Sequence, residues 1–212
     1  MLTELLYLVF LLSTPASLKA MGSFPVPLAT HEISLNERYS NAFVNDVFKD
    51  NILLTLNYLD GAVESPKDIS WSEVEKPFHY EFTLKPGEGF AFHDKLLPEY
   101  SGRVVKTTNA HFNFQDGFKS DGYLTGDGVC HLASLIYWVA KEAGLATVAP
   151  RNHDFANIPG VPREYGVSIY ARPGEAASAY QNLYITNNKE LPVRFVFDYN
   201  DSELTVSIFK AN

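Results

Sequence analysis

Hydrophobic residues recur at helical spacing in two long stretches of the chain. In residues 42–59 the repeating positions are Val44, Val47, Phe48, Ile52 and Leu56, and Asp60-Gly61 then supplies a stop. In residues 126–145 they are Leu132, Leu135, Ile136, Val139, Ala140 and Ala143, followed by Gly144. Apolar residues three and four positions apart form one face of an α-helix, and glycine is common just past a helix end. Both stretches are therefore predicted to be amphipathic helices.

Alternating hydrophobic and polar residues mark the strands. The alternation predicts strands at residues 79–84, 109–114, 165–170, 182–187, 193–199 and 204–209, with a further short strand at 89–94. Asn187-Asn188 and Asn200-Asp201 separate the last three strands as turns. The pattern favours an α+β fold, with an antiparallel sheet, helices packed on one side and a C-terminal β-meander.

The N-terminal residues differ in character from the rest of the chain. Residues 5–12 are apolar and are followed by small residues up to Ala20, which is typical of a secretory signal peptide or an anchor segment. An apolar helix packed on the domain is the alternative, and the stretch is short for a membrane span. We expect residues 1–20 to be this segment, residues 21–36 an extended lead-in, and residues 37–212 a single domain. The protein is then extracytoplasmic and touches a membrane only through an uncleaved N-terminus.

Charge narrows the choice of partners. Acidic residues outnumber basic ones by 25 to 17, which gives a formal net charge of −8, and no basic run or stripe offsets it. Such a field repels phosphate backbones, so a nucleic acid partner is not expected. Hydrophobic residues make up 46% of the 212 residues, enough for a substantial core.

The one cysteine, Cys130, lies where a glycine-rich turn becomes the second helix. Asp127 is a candidate N-cap for that helix. Cys130 is then in the first turn, off the apolar stripe and in line with Ser134 and Tyr137. A thiolate is stabilised by the free N–H groups and the dipole of a helix N-terminus, and those N–H groups can also hold an oxyanion. Gly126 and Gly128 would let a substrate carbonyl approach the backbone.

A nucleophilic thiol also needs a base. His153 lies in a loop that could fold back over the helix start, whereas His131 points about 100° away from Cys130 around the helix. The residues available to orient His153 are Asp154, Asn157 and Asp198, and the sequence does not choose among them.

Two other interpretations of Cys130 stay open. A lone cysteine is often a small buried hydrophobe without chemistry. Cys130, His131 and His153 could also bind a metal, but they lack the paired spacing of a structural zinc site. We therefore predict no cofactor and no metal.

At these residues the sequence resembles the VanW family, bacterial envelope-associated proteins first named from glycopeptide-resistance clusters. The family's G-G-G-[VI]-C-Q-x-S-S-T-L-Y run and A-G-L helix end are matched by residues 126–137 and 143–145, with His131, Ala133 and Leu135 as departures. Its R-x-H segment is matched by Arg151 and His153, and its P-G-E-x-F-S-F run by residues 86–92. Weaker matches fall at residues 45–59 and 183–192.

The resemblance implies an extracytoplasmic protein linked to the cell wall, and leaves two hypotheses. In the first, Cys130 attacks an amide or ester carbonyl of a peptidoglycan stem peptide with His153 as base and acid. In the second, the domain is a non-catalytic module that binds a cell-wall polymer, a peptide or a partner protein, and the cysteine is structural. In either case the residues expected to line the site are Gly126, Gly128, His131, Ser134, Tyr137 and Arg151.

Overall fold

Hydrogen-bonded strands form two four-stranded sheets in the part of the chain that the computed structural model describes, residues 26–123, 125–172 and 174–211. The signal-like segment predicted at residues 1–20 lies outside these residues. The strands are β1 Ala29–Ser34, β2 Phe78–Leu84, β3 Gly89–Ala91, β4 Val104–Lys106, β5 Ala146–Val148, β6 Tyr184–Thr186, β7 Val193–Tyr199 and β8 Glu203–Lys210. The α-helices are α1 Ala42–Asp60, α2 Trp71–Val74, α3 Pro98–Ser101 and α4 Val129–Glu142.

The larger sheet has the strand order β1-β8-β7-β2 and is antiparallel throughout. Its inner face carries a row of fully buried residues that includes Phe195, Phe197, Val206 and Ile208. Helix α4 packs against β1 and β8, and α1 packs against α4. The predicted α+β class, with helices packed on an antiparallel sheet, is confirmed.

The smaller sheet has the order β4-β3-β6-β5 and contains one parallel pair, β3 with β4. Strand β6 belongs to this sheet, while β7 and β8 form a hairpin in the larger one. The three C-terminal strands, predicted as neighbours, are therefore divided between two sheets. Turn signals along the chain reveal where strands end, but they do not reveal which strands pair.

Strand β1 lies within the stretch predicted only as an extended lead-in. It pairs with β8 over its whole length, from Ala29 opposite Ile208 to Ser34 opposite Glu203. Ile33 and Leu35 are 2% and 0% exposed, so this segment contributes to the core.

Two predicted strands are absent from the described residues. Residues 109–114 instead follow an irregular path with positive φ at Asn109 (60°) and Phe112 (58°), and a turn of 3₁₀ helix follows at Phe114–Asp116. Left-handed backbone cannot continue a strand, so the alternation there reflects a loop that buries Ala110 and Phe112. Residues 165–170 begin at the end of a 3₁₀ turn and then run alongside α4.

Both long helices occur where the apolar spacing predicts them, but their caps differ from expectation at one point. Asn41 caps α1 by accepting a hydrogen bond from the Val44 N–H at 3.3 Å. The N-cap of α4 is Gly128, which adopts a left-handed conformation, so the predicted N-cap at Asp127 is wrong. The Asp127 carboxylate instead accepts from the Asp121 N–H at 3.1 Å. No helix of the described segments has both the length and the apolar character that crossing a membrane requires.

Candidate functional site

The glycines before Cys130 allow two parts of the chain to pack closely. Gly126 and Gly128 have φ values of 84° and 98°. A Cβ at Gly128 would lie 2.5 Å from the carbonyl oxygen of Phe48 in α1, and one at Gly126 would lie 2.9 Å from that of Phe112. The backbone of α1 thus fills the space beside Gly128 that we expected a substrate carbonyl to approach. The glycine at position 128 is therefore explained by the close contact between α1 and the turn that precedes α4.

The Cys130 thiol makes both of its hydrogen bonds with the backbone of one residue, Ile169. The Ile169 N–H donates to the sulfur at 3.3 Å, and the thiol donates to the Ile169 carbonyl at 3.7 Å. Burial raises the pKa of the thiol to about 11, because the charged thiolate is poorly solvated there. The negative charge of the nearby Asp127 adds to this effect. The lowered pKa expected of a thiolate at a helix N-terminus is therefore wrong for this position.

Ser134 repeats the arrangement one turn later. Its hydroxyl donates to the Cys130 carbonyl at 2.7 Å and accepts from the Val167 N–H at 2.8 Å, and the residue is fully buried. Cys130 and Ser134 thus receive alternate N–H groups of the extended segment that includes Val167 and Ile169. On this edge of the segment the two side chains take the place of a neighbouring strand, while the other edge forms a single antiparallel bridge, Asn152 with Val167.

Tyr137 and Arg151, two further residues predicted to line the site, lie beside the contact between α4 and the Val167–Ile169 segment. Tyr137 packs edge-to-face against Tyr165, with ring centroids 6.1 Å apart, and its hydroxyl accepts from Lys141 at 3.1 Å. Arg151 has an exposed side chain, while its carbonyl accepts from the Ser168 N–H at 3.0 Å.

His131 is paired with a buried arginine that sequence analysis did not identify. Arg38 donates to Nδ1 of His131 at 2.9 Å, and also to the carbonyls of Ser34 and Pro159. Burial lowers the pKa of His131 well below its usual range, and the Arg38 charge lowers it further. His131 is therefore a neutral acceptor. The one sequence signal that could have suggested Arg38 is a cation beside Tyr39 just before α1, which is weak.

His153 reaches the same region, but in the described residues it forms no hydrogen bond with the thiol. Its ring lies edge-to-face with that of His131, with centroids 6.1 Å apart, and its Nδ1 hydrogen bonds to the Ala156 carbonyl at 3.2 Å. Burial lowers the pKa of His153. Within the described residues no hydrogen bond joins the Cys130 sulfur to a ring nitrogen of His131 or His153.

None of the three residues proposed to orient His153 hydrogen bonds to its ring in the described part of the chain. Asp198 instead binds Nδ1 of His79 at 2.6 Å, on the larger sheet. Asn157 lines a cavity of about 50 Å³ beside His153, and the carbonyl of Asp154 accepts from Arg163 at 2.9 Å. Residues 26–123, 125–172 and 174–211 contain no group of three or more His, Cys, Asp or Glu side chains that could hold a metal ion.

Comparison with known proteins agrees with the resemblance noted in the sequence. The family model described as VanW like protein matches residues 80–209, more than half of the 212 residues, from β2 to β8. No curated protein and no solved structure matches the chain. The matched region includes the glycine turn, α4 and the Ile169 segment that binds the thiol. The chain belongs to the VanW-like family.

Proposed function

We propose that this protein is a non-catalytic binding module of the bacterial cell envelope, in which Cys130 stabilises the fold. The observation that carries the proposal is the pairing of the thiol with both backbone groups of Ile169, at 3.3 Å and 3.7 Å. A thiol with a pKa near 11 is almost entirely protonated at neutral pH, and only the thiolate is a good nucleophile.

Several of the groups that would have to assist a nucleophile are engaged elsewhere. In the first turn of α4, the Val129 and His131 N–H groups donate to the carbonyls of Gly126 and Gly128. His153 bonds to Ala156, and His131 accepts from Arg38. A catalytic cysteine requires a base within hydrogen-bond reach and free donors at the oxyanion position. These contacts favour the binding hypothesis over the thiol hydrolase.

The envelope setting rests on two further observations. The VanW-like family implies a link to the cell wall, and the apolar residues 5–12 followed by small residues are typical of an export signal. We infer that the ligand is a wall polymer or wall peptide. Cell fractionation with an antibody against the chain, combined with N-terminal sequencing of the mature protein, tests the location. Recovery in the cytosol with Met1 retained would contradict it.

The function is tested with purified peptidoglycan sacculi. The protein should co-sediment with sacculi, and Cys130→Ser should co-sediment equally well because serine keeps the donor and the acceptor at Ile169. Chromatography coupled to mass spectrometry should show no new wall fragments after prolonged incubation. Turnover by the parent protein that disappears in Cys130→Ser would instead establish the thiol hydrolase, with His153→Ala as the next variant.

A further inference from the structure

A groove of about 440 Å³ lies on one face of the smaller sheet. Thr186 of β6 lines it, whereas the preceding residue, Ile185, points to the opposite face and belongs to the main core. The lining of the groove includes Ala146 and Val148 of β5, Thr186 of β6, and Tyr100 of α3. Ala146 is opposite Thr186 in the register, and Val148 is opposite Tyr184, so these side chains share one face. Cavities of 300–1,000 Å³ are typical of small-ligand sites. The size therefore suits a ligand of a few residues.

The charged residues of the groove are both cations. Arg103 and Lys189 line it and no carboxylate of the described residues does, although the whole chain carries a net charge of −8. Neither side chain forms a salt bridge with a carboxylate of the described residues. The Lys189 ammonium donates a long hydrogen bond, 3.4 Å, to the Gly144 carbonyl. Two cations without carboxylate partners in an acidic protein are complementary to an anionic ligand.

The rest of the lining limits which anion fits. Ala146 and Val148 present small apolar surfaces, and Val148 is 42% exposed. The Tyr100 ring is held rigid by stacking on Tyr184, with centroids 4.1 Å apart and planes 11° from parallel. This apolar lining binds methyl-sized groups of a ligand favourably. A phosphate polymer whose carbons carry hydroxyl groups has no such groups to offer. An arginine fork matches two oxygens of a carboxylate or of a phosphate, so the apolar lining is what favours the carboxylate of a peptide.

We propose that this groove binds the carboxylate end of a short peptide with small apolar side chains. The carboxylate pairs with Arg103, Lys189 supplies the second charge, and methyl groups rest on Ala146 and Val148. This inference rests on the proposed function as a wall-binding module and names the ligand class and its site. It is separate from the Cys130 region, because no groove residue belongs to α4 or to the residues around His153.

The test uses acetylated trialanine, in L and D forms, each with a free carboxylate or a C-terminal amide. Binding is followed by amide chemical shifts on the full chain. We expect the carboxylate form of one or both peptides to bind and to shift the Thr186 and Lys189 signals, with the matching amide at least tenfold weaker. Arg103→Gln and Lys189→Gln should each weaken binding about tenfold or more. Lys67→Gln, which removes an exposed cation outside the groove, should leave it unchanged.

Three results would overturn the inference: equal binding of acid and amide, unchanged binding in both groove variants, or equally tight binding of inorganic phosphate or glycerol phosphate. Thermal melts of the variants verify that each is folded, and Ala146→Trp, which fills the groove from an exposed strand position, is a second blocking variant. If sacculi bind but neither peptide does, the groove assignment fails and the proposed function stands. If a peptide binds at the groove and sacculi do not, the groove stands and the envelope function fails.

Discussion

Arg38 donates a hydrogen bond to Nδ1 of His131 at 2.9 Å, which couples a buried cation to the residue next to the cysteine. Arg38 is 7% exposed and has no carboxylate partner among the described residues. Its burial lowers the pKa of the guanidinium to about 10. A protonated His131 would lose its acceptor and face this charge directly. The pair therefore requires a neutral imidazole.

The first prediction concerns the pH dependence of stability. An imidazole whose pKa in the folded state lies below its unfolded value of about 6.5 costs stability as the pH falls, because only the unfolded chain takes up the proton. His131→Asn, whose Oδ1 takes the position of Nδ1 and keeps an acceptor for Arg38, should remove this dependence. Between pH 7.5 and pH 5 the variant should lose about 1–2 kcal/mol less unfolding free energy than the parent.

Other groups that titrate in the same pH range also change the unfolding free energy. The variant must therefore be compared with the parent at each pH. The pKa of His93 is lowered to about 4 by burial, which acts in the same direction as His131. The pKa of Asp127 is raised to about 6 by burial, and this carboxyl acts in the opposite direction between pH 6 and 4. Urea unfolding of parent and variant at each pH isolates His131. Identical pH profiles would show that folding does not lower the pKa of His131.

The second prediction concerns the hydrogen bond from Ile169 to the cysteine sulfur. Cys130→Ser keeps both a donor and an acceptor, whereas Cys130→Val removes both and leaves the Ile169 N–H without a partner. An unsatisfied buried donor costs about 1–3 kcal/mol. Cys130→Val should therefore be less stable than Cys130→Ser by that amount in urea unfolding. The dependence of the unfolding free energy on urea concentration should be similar in the two variants. A valine variant as stable as the serine variant would refute the structural role.

The third prediction concerns thiol reactivity. A pKa of about 11 against about 8.5 for a free cysteine leaves roughly 300-fold less thiolate near neutral pH. Alkylation of the native protein by iodoacetamide at pH 7.5 should be slower than that of glutathione by at least that factor. The rate should rise about tenfold per pH unit up to pH 10. In urea the thiol should react at the ordinary rate, and native reactivity equal to that of glutathione would restore the nucleophile hypothesis.

The fourth prediction separates two effects of replacing a glycine: backbone strain at positive φ, and the collision of a new Cβ with a neighbouring element. Gly122 and Gly128 both have positive φ, 111° and 98°, but a Cβ at Gly122 would meet no atom of the described residues within 4 Å, whereas one at Gly128 meets the Phe48 carbonyl. Gly122→Ala should cost about 1–2 kcal/mol through backbone strain alone. Gly128→Ala should cost at least about 2 kcal/mol more, because α1 must move away from α4. Equal losses would mean that the close approach of α1 is unimportant.

The elements with a strong local period were predictable, and the site was only partly so. The spacing of apolar residues located α1 and α4, and alternation located β2, β7 and β8, because a period depends only on neighbouring residues. It also located Cys130 in the first turn of α4. The same alternation misled at residues 109–114, where left-handed residues interrupt the backbone.

What the sequence by itself determined is the set of long helices and strands, the family, and the residues gathered at the start of α4. Only the tertiary structure decided which contacts those residues make. The partner of Cys130 lies 39 positions along the chain and is a backbone amide, which every residue except proline possesses and which leaves no signature in the letters. The pairing of β1 with β8 and the contact of Arg38 with His131 likewise could not be predicted from the sequence, because packing of the whole chain selects such long-range contacts.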